Sequence, residues 1–145
     1  METTTYSFAE LSGAIAHPSL GAYVFQGQGT GSVSIAPQTE KSTHDRASDG
    51  SIMVSKIAGN NAIVTISVQQ TSELDAWLQN AFNLLNIVGA AQWAQMSATL
   101  RNSVTQRTHV LNGLSFQKEP DQPYQAQGQQ RTWNLMCAEH INLTV

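Results

Sequence analysis

Apolar and polar positions alternate most regularly from Ala62 to Gln70. Ala62, Val64, Ile66 and Val68 take one face and Ile63, Thr65, Ser67 and Gln69 the other, which predicts a half-buried strand. The pattern changes at Thr71-Ser72. From Glu73 to Val88, Leu74, Trp77, Leu78, Ala81, Leu85 and Val88 recur at helical spacing, widened by Phe82, Leu84 and Ile87. Ser72 is a good N-cap with Asp75 three residues on, Glu73 and Asp75 suit the positive end of the helix dipole, and Gly89 is the expected stop. The polar side of this helix holds Gln79, Asn80, Asn83 and Asn86 but no ion, so it is expected to be covered on both sides.

Around this strand-helix unit the chain reads as strands. Tyr6–Ala16 is one, interrupted by Gly13 and ended by Pro18, and Leu20–Phe25 is a second. A turn, GQGTG at 27–31, leads into Ser32–Ala36, which Pro37 ends. Ile52–Ile57 follows the Asp49-Gly50 turn signal, and Gly59-Asn60-Asn61 is another turn. Trp93–Arg101 is ambiguous, though Met96, Ala98 and Leu100 alternate. Thr108–Gln117 contains a hairpin turn or bulge at Asn112-Gly113. The proline-punctuated segment 119–130 is a loop, and Arg131–Val145 is a last strand with Trp133, Leu135 and Cys137 on one parity. Two prolines just before it suggest a sheet edge or a crossing between sheets. The expected fold is α+β, mainly β: six to eight strands in a sandwich or barrel, with one helix at about 73–88.

Charge changes this picture in one place. Only 12% of residues are charged, about half the usual share, while glutamine, asparagine, serine and threonine are abundant. Uncharged hydrogen-bonding groups cost less to desolvate than ions, so such a surface suits extensive burial against neighbours. Five of the seventeen charged residues fall in Glu40–Asp49: Glu40, Lys41, Asp45, Arg46 and Asp49, joined by His44. This stretch reads as an extended loop, 38–51, at the tip of a long hairpin beginning near Ser32. The remainder fits a single domain, 1–145, with an N-terminal arm at 1–5.

The chemistry expected of an enzyme or a metal protein is missing. Net charge is −3, so there is no basic footprint for nucleic-acid phosphates. GQGTG is not followed by the helix whose N-terminus would bind a pyrophosphate. His17, His44, His109 and His140 lack ligand spacing, and His44, Asp45 and Asp49 lack the alternating acids of a calcium loop. The lone Cys137 fits a reducing compartment and lies in an apolar strand, where thiols are inert. No catalytic, cofactor-binding or metal site is assigned. The N-terminus has no basic and apolar leader pattern, and no apolar run reaches bilayer-spanning length.

Three stretches together, YSFAELSGAIAHP (6–18), AIVTISVQQTSELDAWLQNAFN (62–83) and FQKEPDQPYQAQGQQRTWNLMCAEHINL (116–143), resemble the tail-tube proteins of contractile-tailed bacteriophages. The order of elements is similar too. The resemblance implies a tube-type β-sandwich or barrel, related in fold to the haemolysin-coregulated protein of type VI secretion. It implies hexameric rings stacked into the inner tail tube, the conduit for DNA ejection, with DNA passing without specific binding. The implied partners are other copies of the chain, the tail sheath protein, and baseplate and tail terminator proteins. The implied location is the virion tail, with the host cytoplasm during assembly. The segment Glu40–Gly50 corresponds to the loop that reaches a neighbouring subunit, which assigns Glu40, Lys41, His44, Asp45, Arg46 and Asp49 an inter-subunit role. Six copies at −3 carry −18 per ring, and acids facing the lumen would repel DNA. The alternatives are another virion structural protein, such as a baseplate or terminator component, and a carbohydrate-binding β-sandwich using Tyr23, Phe25 and Tyr124. A small enzyme is disfavoured for want of a catalytic constellation.

Overall fold

The structure, a computed structural model, describes residues 3, 5–7, 11–25 and 30–144. Residues 8–10 of the first expected strand, 27–29 of the GQGTG turn, most of the 1–5 arm and Val145 lie outside the described residues. Among the described residues nine strands and one α-helix follow in the order β1 (Leu11–His17), β2 (Gly21–Phe25), β3 (Thr30–Pro37), β4 (Ser42–Arg46), β5 (Ile52–Lys56), β6 (Ala62–Gln69), α1 (Glu73–Ile87), β7 (Met96–Asn102), β8 (Arg107–Phe116) and β9 (Gln130–Thr144). Seven strands form one antiparallel sheet, β2-β1-β7-β8-β9-β6-β3, and β4 and β5 form a separate two-stranded ribbon. The fold is α+β and mainly β, as the alternation predicts.

The sequence parity sets the register. Val64, Leu135 and Phe116 share one inward row, and Ala62, Cys137, Leu114 and Met96 the next, all buried. The sheet then curls. The two-residue step from Met96 to Ala98 in β7 is matched by a three-residue step from Leu114 to Leu111 in β8, so β8 carries a bulge at Asn112-Gly113. Gly113 has φ +67°, and a Cβ there would meet the Ala138 Cβ at 2.8 Å, so glycine alone fits. Beyond the bulge the buried face continues through Leu111, Ala98 and Ile15. The two ends of the curled sheet approach one another: Leu11, Leu100 and His109 line a cavity with Val33, Ser34 and Ile35 of β3. β9 lies inside this one sheet, between β8 and β6, so the prolines before it mark neither an edge nor a crossing between sheets.

Helix α1 covers the inward face through Leu74, Leu78, Ala81 and Leu85, each fully buried and each contributing about 1–3 kcal/mol by leaving water. Phe116 sits at its centre, edge-on to Phe82, Trp93 and Trp133. Ser72 caps the helix, its Oγ accepting the Asp75 N–H at 3.1 Å. The far end differs from expectation. Val88 is extended, with its N–H on the Leu84 carbonyl, and Gly89, at φ −67°, opens a single 3-10 turn, Ala90–Gln92. Asn80, Asn83, Asn86 and Ile87 face outward and are exposed, so within one chain the helix is covered on one side only.

Candidate assembly surface

The charged segment is a built ribbon and not a loop. β4 and β5 pair in unbroken register, Ser42↔Lys56 to Arg46↔Ile52, and every residue of both strands is exposed. Alternation makes Ile52–Lys56 a strand, but its apolar residues meet no core: Ile52, Met53 and Val54 are 50%, 61% and 60% exposed. At the tip Asp49 accepts from the Ser51 N–H and hydroxyl, which holds its carboxyl below the usual range. At the base Lys41 donates to the Gly59 carbonyl and, at 2.7 Å, to Asn60 Oδ1, while Thr39 bonds Asn61. Asn60 is in turn bridged to Glu139 and accepts from the His140 N–H. The ribbon is therefore a tethered projection from the Pro37/Ala62 end of the sheet. Of the six residues singled out from sequence, His44, Asp45 and Arg46 lie on it, Lys41 anchors it, Glu40 precedes it and Asp49 shapes its turn.

The second surface is the outward face of the sheet. Its rows read Ser34-Thr65-Asn134, Ser32-Ser67-Thr132, and Ala36-Ile63-Met136-Ser115 on one part, and Ala16-Ser97 and Val24-Ala14-Thr99-Val110 on the other. Thr65 donates to Asn134 and Ser67 pairs with Thr132 across strands. The row Ser12-Arg101-Thr108 adds one base to this face, and Asn112-Glu139 beside the bulge adds one acid. The other exposed acids among the described residues lie elsewhere: Glu40, Asp45 and Asp49 on the arm, and Glu73, Glu119 and Asp121 at the opposite pole.

Two features escaped sequence reading. Asp75 does more than sit in the first turn. It is buried against Arg131, whose Nη1 donates to both its oxygens at 3.1 and 3.3 Å, and the Trp133 indole N–H donates to it at 3.0 Å. Arg131 Nη2 reaches Gln79 Oε1 and the Pro120 carbonyl, and its guanidinium lies over Trp133. The signal was there: Arg131 shares parity with buried Trp133, Leu135 and Cys137. Second, His109 and His140 stack with Nδ1 and Nε2 3.0 Å apart. Burial holds both imidazoles below their ordinary range, and in His109 the His140 ring and Arg107 add to it. Cys137 is buried, with its thiol on the Glu139 carbonyl, and burial pushes its pKa up. Tyr23, Phe25 and Tyr124 form no common platform. Phe25 is buried, Tyr23 packs on Trp77, and Tyr124 stands alone on the 119–130 loop, which removes the basis of the carbohydrate-binding alternative.

The family profile described as Bacteriophage PhiTE tail tube protein matches residues 3–144. The chain belongs to this tail tube family. It is a structural component of a phage tail, and its place is the virion tail. In fold, this tail tube protein is similar to the sheath/tube terminator of the extracellular contractile injection system PVC, at TM-score 0.64 and 12% identity over 99% of both chains. It is likewise similar to a chain of the anti-feeding prophage tube-terminating cap, at TM-score 0.63 and 10% identity, covering 100% of this chain and 94% of that one. A chain of the 6-fold symmetrised anti-feeding prophage baseplate gives TM-score 0.59 and 15% identity, covering 100% and 99%. At these identities the likeness is one of fold. No curated protein matches by sequence.

Proposed function

We propose that this tail tube protein assembles into hexameric rings that stack into the inner tail tube, with the sparsely charged sheet face toward the bore through which DNA passes. The observation that carries the reading is the open seven-stranded sheet with its two unpaired edges, β2 and β3, at opposite ends. β2, Gly-Ala-Tyr-Val-Phe, has no charge or proline to guard it, and Val24 is 69% exposed. Bare edges invite pairing with another chain, and a head-to-tail interface that closes on itself removes them. A bore lined mainly by Ser, Thr, Ala and Asn, with Arg101 its one base among the described residues, would offer phosphates little to grip and would let DNA slide. The low charge of the chain supports burial against further tail components, with the sheath, baseplate and terminator proteins as partners. The role is structural, without a catalytic step, and assembly takes place in the host cytoplasm.

The fold likeness to two tube-terminating proteins favours a second reading, a terminator. Negative-stain electron microscopy of purified protein separates them: six-fold rings that stack into hollow tubes support the tube, and isolated rings that cap tubes support the terminator. A monomer that persists at high concentration refutes both.

A further inference from the structure

Asn112 is the sole asparagine followed by glycine in the sequence, and the fold places this pair at the bulge of β8. The register sets Asn112 opposite Glu139 of β9 but gives neither Asn112 nor Gly113 a partner on β7, where Ser97 alone spans the two. Asn112 is exposed, and its carboxamide has no hydrogen-bond partner among the described residues. Gly113 follows it in the left-handed region, at φ +67°.

An exposed carboxamide beside a glycine has a chemical route that other asparagines lack. The Gly113 main-chain nitrogen can attack Asn112 Cγ, because its own residue carries no Cβ to crowd the approach. The N–Cγ bond forms, the Cγ–Nδ2 bond breaks, and Nδ2 leaves as ammonia with the Gly113 amide proton. The product is a cyclic imide. Water then opens it at Cγ, giving aspartate, or at the Asn112 main-chain carbonyl, giving isoaspartate with the chain running through Cγ. In a regular ladder the chain is held too straight for the nitrogen to reach Cγ; a bulge interrupts the ladder and relaxes that restraint.

Two sites in the same chain show what this one has. Asp49-Gly50 also ends in a left-handed glycine, but the Ser51 hydroxyl and N–H bond its carboxylate at 2.6 and 3.0 Å and hold it below the usual range. An ionised carboxylate resists attack. Asn134 sits in paired register between β6 and β9, its Oδ1 accepting from Thr65, and is followed by buried Leu135.

We propose that Asn112 is a self-modifying site, converted in the folded chain through a cyclic imide with Gly113 to aspartate and isoaspartate, with water as the only co-reactant. The new carboxylate stands directly opposite Glu139, and like charges so placed oppose the pairing of β8 with β9. The isoaspartyl form also lengthens the main chain where the sheet curls. Conversion thus adds acid to the outward face and weakens its curl as the protein ages. This holds for the single chain, whether or not it assembles.

The test follows the native full chain in warm, mildly alkaline buffer by intact mass and peptide mapping, with the urea-unfolded chain alongside. Each conversion raises the mass by about 1 Da, and isoaspartate is read by enzymatic methyl transfer to its free carboxylate. Native Asn112 should convert within about tenfold of its rate in the unfolded chain, as a segment outside the cooperative ladder does. Native Asn134 and Asp49 should yield no isoaspartate. Asn112→Gln should abolish the mass gain with the circular dichroism unchanged. An Asn112 that stays intact in the native chain while the unfolded chain converts overturns the proposal, as does equal conversion at Asn134. Asn112→Asp should unfold at lower urea than the parent chain, and Asn112→Asp/Glu139→Gln should return the midpoint; an unshifted midpoint for Asn112→Asp overturns the like-charge consequence.

Discussion

Asp75→Ala is the most informative single perturbation of the fold. The side chain of Arg131 is 1% exposed, and Asp75 is its only anionic partner among the described residues. Its Nε already has no hydrogen-bond partner. Removing the carboxylate leaves a buried guanidinium uncompensated, which costs about 3–5 kcal/mol. It also strands the Trp133 indole N–H, worth roughly 1–3 kcal/mol alone but not additive in one network. Gln79 and the Pro120 carbonyl hold the other guanidinium nitrogen, at 3.0 and 3.3 Å, and offset part of the loss. We expect a net cost of about 4 kcal/mol, a large share of the ~5–15 kcal/mol a domain has. Urea unfolding of dilute monomer reads this directly, since assembly would add its own stabilisation. The melting temperature should fall by roughly 8–16 °C. The double variant Asp75→Leu/Arg131→Met should recover most of the loss, because replacing both ions with apolar groups is often neutral or stabilising. A cost below about 1.5 kcal/mol for Asp75→Ala would refute the claim that this ion pair fastens the helix to the sheet.

Three further outcomes follow from the geometry. Gly113→Ala should cost about 1–3 kcal/mol, from a positive φ and contact with Ala138; Ala138→Gly in the same chain should return the contact part but not the backbone part, measured by thermal unfolding. Ser72→Ala should cost about 0.5–2 kcal/mol through the lost cap on Asp75 N–H, seen in urea unfolding as a shifted midpoint at constant slope. The His109–His140 pair should make stability pH-dependent. Both imidazoles are held below their ordinary range when folded, so the unfolded chain binds more protons below about pH 6.5. Stability is then full above that pH and falls as pH drops toward 5. A His109→Gln/His140→Gln variant should lack this slope, and an equal slope in both proteins would exclude the pair as its source.

Local order was legible because it depends on neighbours a few residues away. Parity along Ala62–Gln69 gave β6 and its buried face, spacing gave α1, Ser72 gave its start, and Asn112-Gly113 marked the bulge. The chain alone also determined that charge is scarce and gathered between Glu40 and Asp49. What periodicity does not carry is partnership. Arg131 and Asp75 lie 56 positions apart and His109 and His140 31 apart, and no local pattern says which strand closes on which. The same limit applies to the strand read at Ile52–Ile57. Its apolar residues mark a strand, but only the tertiary structure shows that the strand leaves the sheet, with Ile52 and Val54 in solvent. A residue's type states what it would gain by burial; whether its own chain supplies the cover is decided by the closure of distant segments, and here no described segment closes over that face.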